Sequence, residues 1–249
     1  MIKKKQNRET LFAEASKKTL GGDLNFAAAE AYKLLRTNLD FSLPKDSGCR
    51  VIGVTSAMKG EGKSTTSINI AYTMAQSAGK VLLIEADLRL PTIAKRLKVK
   101  PRPGISNLLA GQCTGTDILQ QSDLISNLWV ATAGDIPPNP AELVGSKNMA
   151  KTIDSMKNVF DVIIVDLPPI TAVTDAVLVS KMVDGMIVVV RQNYCGRGVL
   201  DEVVRQLRFV EAKILGFVMT GADTQKKNYK RYGRSYGDYG QPGAKGSSV

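Results

Sequence analysis

Eight consecutive residues, Ala57-Met58-Lys59-Gly60-Glu61-Gly62-Lys63-Ser64, hold two glycines, a lysine and a hydroxyl at the spacing of a phosphate-binding loop, with Ala in the first glycine position. Gly60 and Gly62 let the backbone turn its N–H groups toward an anion. The helix expected to open near Lys63 adds the positive end of its dipole. Lys63 would reach the β and γ phosphates of ATP, and the Ser64 hydroxyl would ligate Mg²⁺. Met58 through Thr65 is thus the expected nucleotide-binding segment. The bland alternative is a glycine-rich turn that binds nothing, but strand, loop, Lys-Ser and helix all fall in register here. A dinucleotide loop fits worse, because its third glycine position holds Thr65.

Three acids end apolar runs. Glu85 and Asp87 close "LLIEAD", and Asp166 closes "VIIVD". Phosphoryl transfer asks for a metal ion, positive charge and an oriented acceptor more than for covalent chemistry. One such carboxylate can hold Mg²⁺ beside Ser64, and another can orient or deprotonate an attacking hydroxyl. Strand-end acids also cap nearby helices, so a purely structural role is the competing reading for each. Histidine is absent from all 249 residues, which removes His-assisted nucleophiles and His-based metal sites. Cys49, Cys113 and Cys195 are odd in number and widely spaced, suggesting neither a disulfide framework nor a zinc site.

The elements that must position these residues alternate in type. Strands are expected at 50–56, 80–87, 128–134, 159–166, 185–191 and 213–221, and helices at 26–41, 64–79, 140–158, 174–183 and 198–212, with short helical pieces near 104–111 and 116–122. Strands apolar on both faces, each followed by a helix, predict an α/β fold: a mostly parallel central sheet covered on both sides. Sites in such sheets lie at the carboxyl ends of the strands, where Glu85, Asp87 and Asp166 fall.

Hydrophobic content of 43% and charged content of 23% are ordinary for a soluble globular chain. No apolar run reaches the length of a membrane span, so the expected location is the cytoplasm. The net charge of +11 is concentrated at the ends: residues 1–20 carry +4 and residues 224–249 carry +5, leaving the body near neutral. Basic ends argue for tails that meet something acidic rather than for a basic groove in the fold, and no nucleic-acid partner is expected. The last segment, "KKNYKRYGRSYGDYG", gathers Tyr229, Tyr232, Tyr236 and Tyr239, four of the seven tyrosines, with almost no apolar company. The expected organisation is a basic flexible segment at 1–25, a nucleotide-binding domain at 26–223 and a disordered tyrosine-rich tail at 224–249.

Taken together, "VTSAMKGEGKST" (54–65), "VLLIEADLRLP" (81–91), "DVIIVDLPP" (161–169) and the tyrosine-rich tail resemble the bacterial tyrosine kinases, specifically the stand-alone enzymes that work with capsule or exopolysaccharide machinery. The stretches "PGISNLLAG" and "GDIPPNPAELVGSKNM" support the resemblance, which runs from about Glu30 to the end of the chain. It implies a P-loop fold and an ATP- and Mg²⁺-dependent protein-tyrosine kinase. Lys63 and Ser64 would bind nucleotide and metal, Asp87 and Asp166 would support the metal, and Glu85 would occupy the place where the family often has an Asp that activates the acceptor hydroxyl. The four tail tyrosines would be phosphorylated in trans. On the helix at 26–41, Glu30, Lys33 and Arg36 are similar to the family's oligomerisation motif, with Lys in the middle position, and imply a ring-like homo-oligomer. The alternative for that helix is a solvated charged face. The resemblance further implies a separate transmembrane activator that recruits the enzyme to the inner face of the membrane, and a cognate tyrosine phosphatase.

Each motif alone also suits a P-loop scaffold ATPase of the septum-site or partition type, which remains the alternative. That group places a signature lysine where this chain has Met58, and it has no use for clustered tail tyrosines. A nucleic-acid binder that stacks the tail tyrosines on bases would show steep salt dependence.

Overall fold

β1 (Arg50–Ser56), β2 (Val81–Glu85) and β5 (Val162–Asp166) are buried at every position, because alternate side chains feed two different cores. Val51, Leu82, Ile84, Ile163 and Val165 point into one, while Ile52, Val54, Leu83 and Ile164 point into the other. That is the physical content of a strand apolar on both faces: it must be covered on both. The computed structural model describes residues 20–43, 48–77 and 79–222. The tail tyrosines and residues 1–19 of the expected N-terminal segment lie outside these residues, whereas 20–25 are described: Gly21–Asp23 form a 3₁₀ turn, and the Gly21 N–H donates to Asn69 Oδ1 at 2.9 Å.

The remaining strands are β3 (Gln120–Gln121), β4 (Leu128–Ala131), β6 (Gly185–Arg191) and β7 (Ile214–Thr220). The seven form one sheet in the order β3-β4-β2-β5-β1-β6-β7, parallel throughout except for the β3–β4 pair. The helices are α1 (Phe26–Ser42), α2 (Lys63–Ala75), α3 (Ile93–Leu97), α4 (Ile105–Leu109), α5 (Pro140–Val144), α6 (Lys147–Met156), α7 (Asp175–Val179) and α8 (Arg197–Phe209). α1 and α2 cover one face through Leu39, Ile68, Ala71 and Met74. α4, α6, α7 and α8 cover the other through Ile105, Ile153, Ala176 and Leu207. Among the described residues no helix is long and apolar enough to cross a membrane.

Most expected elements form, with local differences that have identifiable causes. α1 starts where its cap predicts: Asn25 accepts from the Ala28 N–H at 2.9 Å. The helix expected over 140–158 is two helices, because the Ser146 hydroxyl accepts from the Met149 N–H and caps a new start. The helix expected over 174–183 finishes as a 3₁₀ turn at Ser180–Met182. The helical piece expected over 116–122 instead ends in β3. Gln120 there pairs with Val130 through its backbone, and its side-chain amide both accepts from Lys100 N and donates to Lys100 O at 2.8 Å. That two-residue strand is held by its antiparallel pairing with β4 and by Lys100, twenty positions back, which helical periodicity does not register.

Candidate active site

The loop between β1 and α2 is shaped by two left-handed glycines, Gly60 at φ 88° and Gly62 at φ 93°. A side chain at either position would carry the steric cost of that conformation. Gly62 is also the residue from which α2 starts.

Four hydroxyls from outside the turn hold its carbonyls. Thr171 donates to Ala57 O (2.6 Å), Ser56 to Met58 O (2.8 Å), Tyr194 to Lys59 O (3.0 Å) and Thr220 to Glu61 O (2.6 Å). Tying these carbonyls to outside hydroxyls frees loop N–H groups for an anion, with the Met58 N–H excepted because it donates to Glu61 Oε2. Glu61 adds an internal brace. Its side chain is buried, accepting from Met58 N at 2.6 Å and from Arg191 N at 3.3 Å. Its contribution to a nucleotide would therefore come from backbone, with the carboxylate turned away into the fold. The Thr65 hydroxyl accepts from Arg96 Nη1 at 2.9 Å, tying α3 to the start of α2.

Two of the three acids converge on Lys63. Its ammonium lies 2.7 Å from Asp87 Oδ2 and 3.7 Å from Asp166 Oδ2, and 3.3 Å from the Ser64 hydroxyl. Burial works against the charge on Lys63, yet Asp166 and Asp87 together raise its pKa above the usual lysine value. Asp166 is fully buried, and burial raises its carboxyl despite the opposing pull of Lys63. Its Oδ1 accepts from Ser67 Oγ at 2.9 Å, one helical turn beyond Lys63. Its Oδ2 is buried and accepts no hydrogen bond.

Glu85 differs. It pairs with Asp166 across β2 and β5, but its oxygens accept from the backbone N–H groups of Thr92, Ile93 (2.7 Å) and Ala133 (3.3 Å). Burial raises its carboxyl, and these three bonds oppose that. The geometry is that of an acid capping α3 and pinning the segment after β4. Next to it, Arg89 makes a two-pronged bond to buried Asp175, at 3.1 Å on each arm, which anchors the loop after β2 to α7.

The oxygen donors suit a magnesium ion. Asp166 Oδ2 is an unsatisfied buried acceptor, and Asp87 and the Ser64 hydroxyl lie on the same ammonium. Hard cations of this size take oxygen ligands and commonly complete their shell with water and nucleotide phosphate. Among the described residues, no cluster of three or more acidic, thiol or imidazole groups could hold a metal by itself. A cation here depends on the nucleotide for further ligands.

On α1, Lys33 bonds Glu30 at 2.7 Å, and Arg36 donates to Thr73 O at 3.0 Å, closing the end of α2. All three side chains of the expected oligomerisation motif are thus placed, two in an exposed pair and one against the chain's own fold.

Several site residues escaped the sequence reading. Ser67 lies four positions past Lys63 and could be found from helical spacing. Thr171 and Tyr194 reach the loop across 114 and 135 positions, and no local signal marks them. Thr220 reaches the loop from the end of β7, 159 positions away from Glu61.

Comparison with known proteins finds similar chains and folds. The AAA domain family matches residues 49–215. A protein from Streptococcus agalactiae, tyrosine-protein kinase CpsD, is 33% identical over 209 residues, covering 84% of this chain and 89% of its own length. Tyrosine-protein kinase YwqD of Bacillus subtilis is 35% identical over 212 residues, covering 85% and 86%. Among solved structures, the kinase domain of Escherichia coli tyrosine kinase ETK superposes with a TM-score of 0.72 at 30% identity, covering 80% of this chain and 79% of that one.

Proposed function

The chain belongs to the bacterial tyrosine-protein kinases, and from that premise we propose that it transfers the γ-phosphoryl group of ATP to tyrosine hydroxyls on neighbouring copies of itself. The acceptors are Tyr229, Tyr232, Tyr236 and Tyr239 in the tail. The observation that carries this reading is the convergence of Lys63, Asp87 and Asp166 at the mouth of the glycine loop.

In this reading the loop N–H groups and Lys63 bind the nucleotide phosphates, and Ser64, Asp87 and Asp166 would hold Mg²⁺. The ion, when bound, neutralises charge on the β- and γ-oxygens. Asp87 and Asp166 keep Lys63 protonated, so it meets the phosphates as a cation. In a loose transition state the phenol retains its proton until late, so a strong base is not required. Asp87 would orient the phenol beside Lys63, and the phenolic proton passes to the transferred phosphate or to solvent. Glu85 already accepts from three backbone groups and acts as a positioning residue for the segments after β2 and β4.

The wider setting follows from the family. The kinase assembles as a ring-like homo-oligomer through the α1 face, is drawn to the inner membrane surface by a separate transmembrane activator, is reset by a tyrosine phosphatase, and regulates extracellular polysaccharide synthesis and export. The test is incubation with Mg-ATP, with and without the activator's cytoplasmic segment, followed by phosphosite mapping. Phosphotyrosine is expected within 224–249, and Lys63→Met should abolish it. Absence of phosphotyrosine there under both conditions would sink the proposal.

A further inference from the structure

Of the four hydroxyls that hold the glycine loop, Ser56 is buried, Thr220 half-buried and Thr171 exposed. The fourth belongs to Tyr194, on the turn between β6 and α8. Tyr194 is 46% exposed, and of the three described tyrosines (Tyr32, Tyr72 and Tyr194) it alone is classed as exposed. Its hydroxyl donates to Lys59 O at 3.0 Å, and a Cβ added to Gly60 would lie 3.3 Å from that oxygen. The Arg191 guanidinium sits 5.4 Å from the ring centroid and makes no ion pair among the described residues.

Resting on the kinase reading above, we infer that Tyr194 is an internal phosphorylation site that switches off nucleotide binding. Tyr194 Oη attacks the γ-phosphorus of ATP held by a second copy. An O–P bond forms, the bond from the γ-phosphorus to the β–γ bridging oxygen breaks, ADP leaves, and the phenolic proton passes to the transferred phosphate or to solvent. Three consequences follow at the loop. The hydroxyl is no longer a donor, so Lys59 O loses its outside partner. A phosphate ester carries about −1.5 to −2 charges at neutral pH, beside the loop that must receive the phosphates of ATP. Arg191 is the adjacent cation that can pair with the new group, drawing it off the carbonyl.

The experiment uses the full chain and a variant with all four tail tyrosines changed to Phe. Both are incubated with Mg-ATP and mapped by mass spectrometry, and affinity is read with a fluorescent ATP analogue before phosphorylation, after it, and after phosphatase treatment. The expected result is phosphate on Tyr194 in both proteins, with affinity falling about tenfold or more and recovering when the phosphate is removed. A tail that is modified while Tyr194 stays bare overturns this inference and leaves the kinase reading intact; no phosphotyrosine anywhere overturns both. Two substitutions test the switch without any kinase activity. Tyr194→Phe should weaken binding by about fivefold, the loss of one neutral hydrogen bond. Tyr194→Glu should weaken it by a further several-fold. Equal affinities for the two variants, or unchanged affinity after phosphorylation, overturn the regulatory role.

Discussion

At the scale of single residues, Lys63 sets one positive charge against two acids, Asp87 and Asp166, and the three depend on one another. Removing one partner leaves another charge buried and uncompensated, which is far costlier than the pair is favourable. Asp166 makes this measurable through pH. Its folded pKa stands above the ordinary 3.8, so the folded state binds its proton more tightly than the unfolded chain. That contribution is fully present below the unfolded value and is lost as pH rises through the folded one. The stability of the native protein relative to Asp166→Asn should therefore fall with rising pH across that window, as followed by thermal melts in magnesium-free buffer. A pH-independent difference would show that Asp166 ionises as it does in the unfolded chain. Glu85 gives a second prediction. With both oxygens accepting from backbone, Glu85→Gln turns an NH₂ donor against an N–H donor and should cost about 1–3 kcal/mol of stability. If Glu85 is a positioning residue, the loss appears in the melting temperature and in KM more than in kcat. A collapse of kcat with unchanged stability would instead make it the base.

At the scale of elements, the glycine loop is held by its neighbours as much as by its own sequence. Thr220 at the end of β7, Tyr194 after β6 and Thr171 after β5 each take one of its carbonyls. β7 is the most solvent-exposed of the long strands, yet it supplies the 2.6 Å bond to Glu61 O beside Gly62. Thr220→Val keeps the shape of the side chain and removes that bond. It should leave the fold intact and weaken ATP affinity by about fivefold, corresponding to about 1 kcal/mol, as read by titration with a fluorescent nucleotide analogue. The short helices α3 and α7 serve the site in the same way. One is capped by Glu85, and the other carries Asp175 for Arg89, so the acid-bearing segment after β2 is fixed at both ends.

At the scale of the whole molecule, charge is segregated. The described body is close to neutral while the terminal segments carry most of the net +11. Four phosphates would add roughly −6 to −8 charges to a tail that starts at +5, inverting its sign. If ring assembly depends on that tail, light scattering should report a change in assembly size between the unphosphorylated and the fully phosphorylated protein, with phosphatase restoring the original distribution. An unchanged distribution would make the tail a mark read by other proteins. The internal bonds of α1, Lys33 to Glu30 and Arg36 to Thr73 O, mean that a contact with a second copy must compete with or extend bonds already made.

The amino-acid sequence alone determined the alternation of strands and helices, the glycine turn from which α2 opens at Lys63, and the placement of Glu85 and Asp166 at strand ends with Asp87 two residues past β2, because each rests on local chemistry: apolar runs, glycine spacing, a cap at Asn25. It did not separate the roles of those acids. Glu85 and Asp87 are two positions apart, yet one caps α3 and the other meets Lys63, a difference set by which backbone folds over each carboxylate. Nor could it find the hydroxyls of Thr171 and Tyr194, which reach the loop across 114 and 135 positions. Those contacts join residues far apart in the chain, so their energy appears only once the sheet has brought its strand ends together.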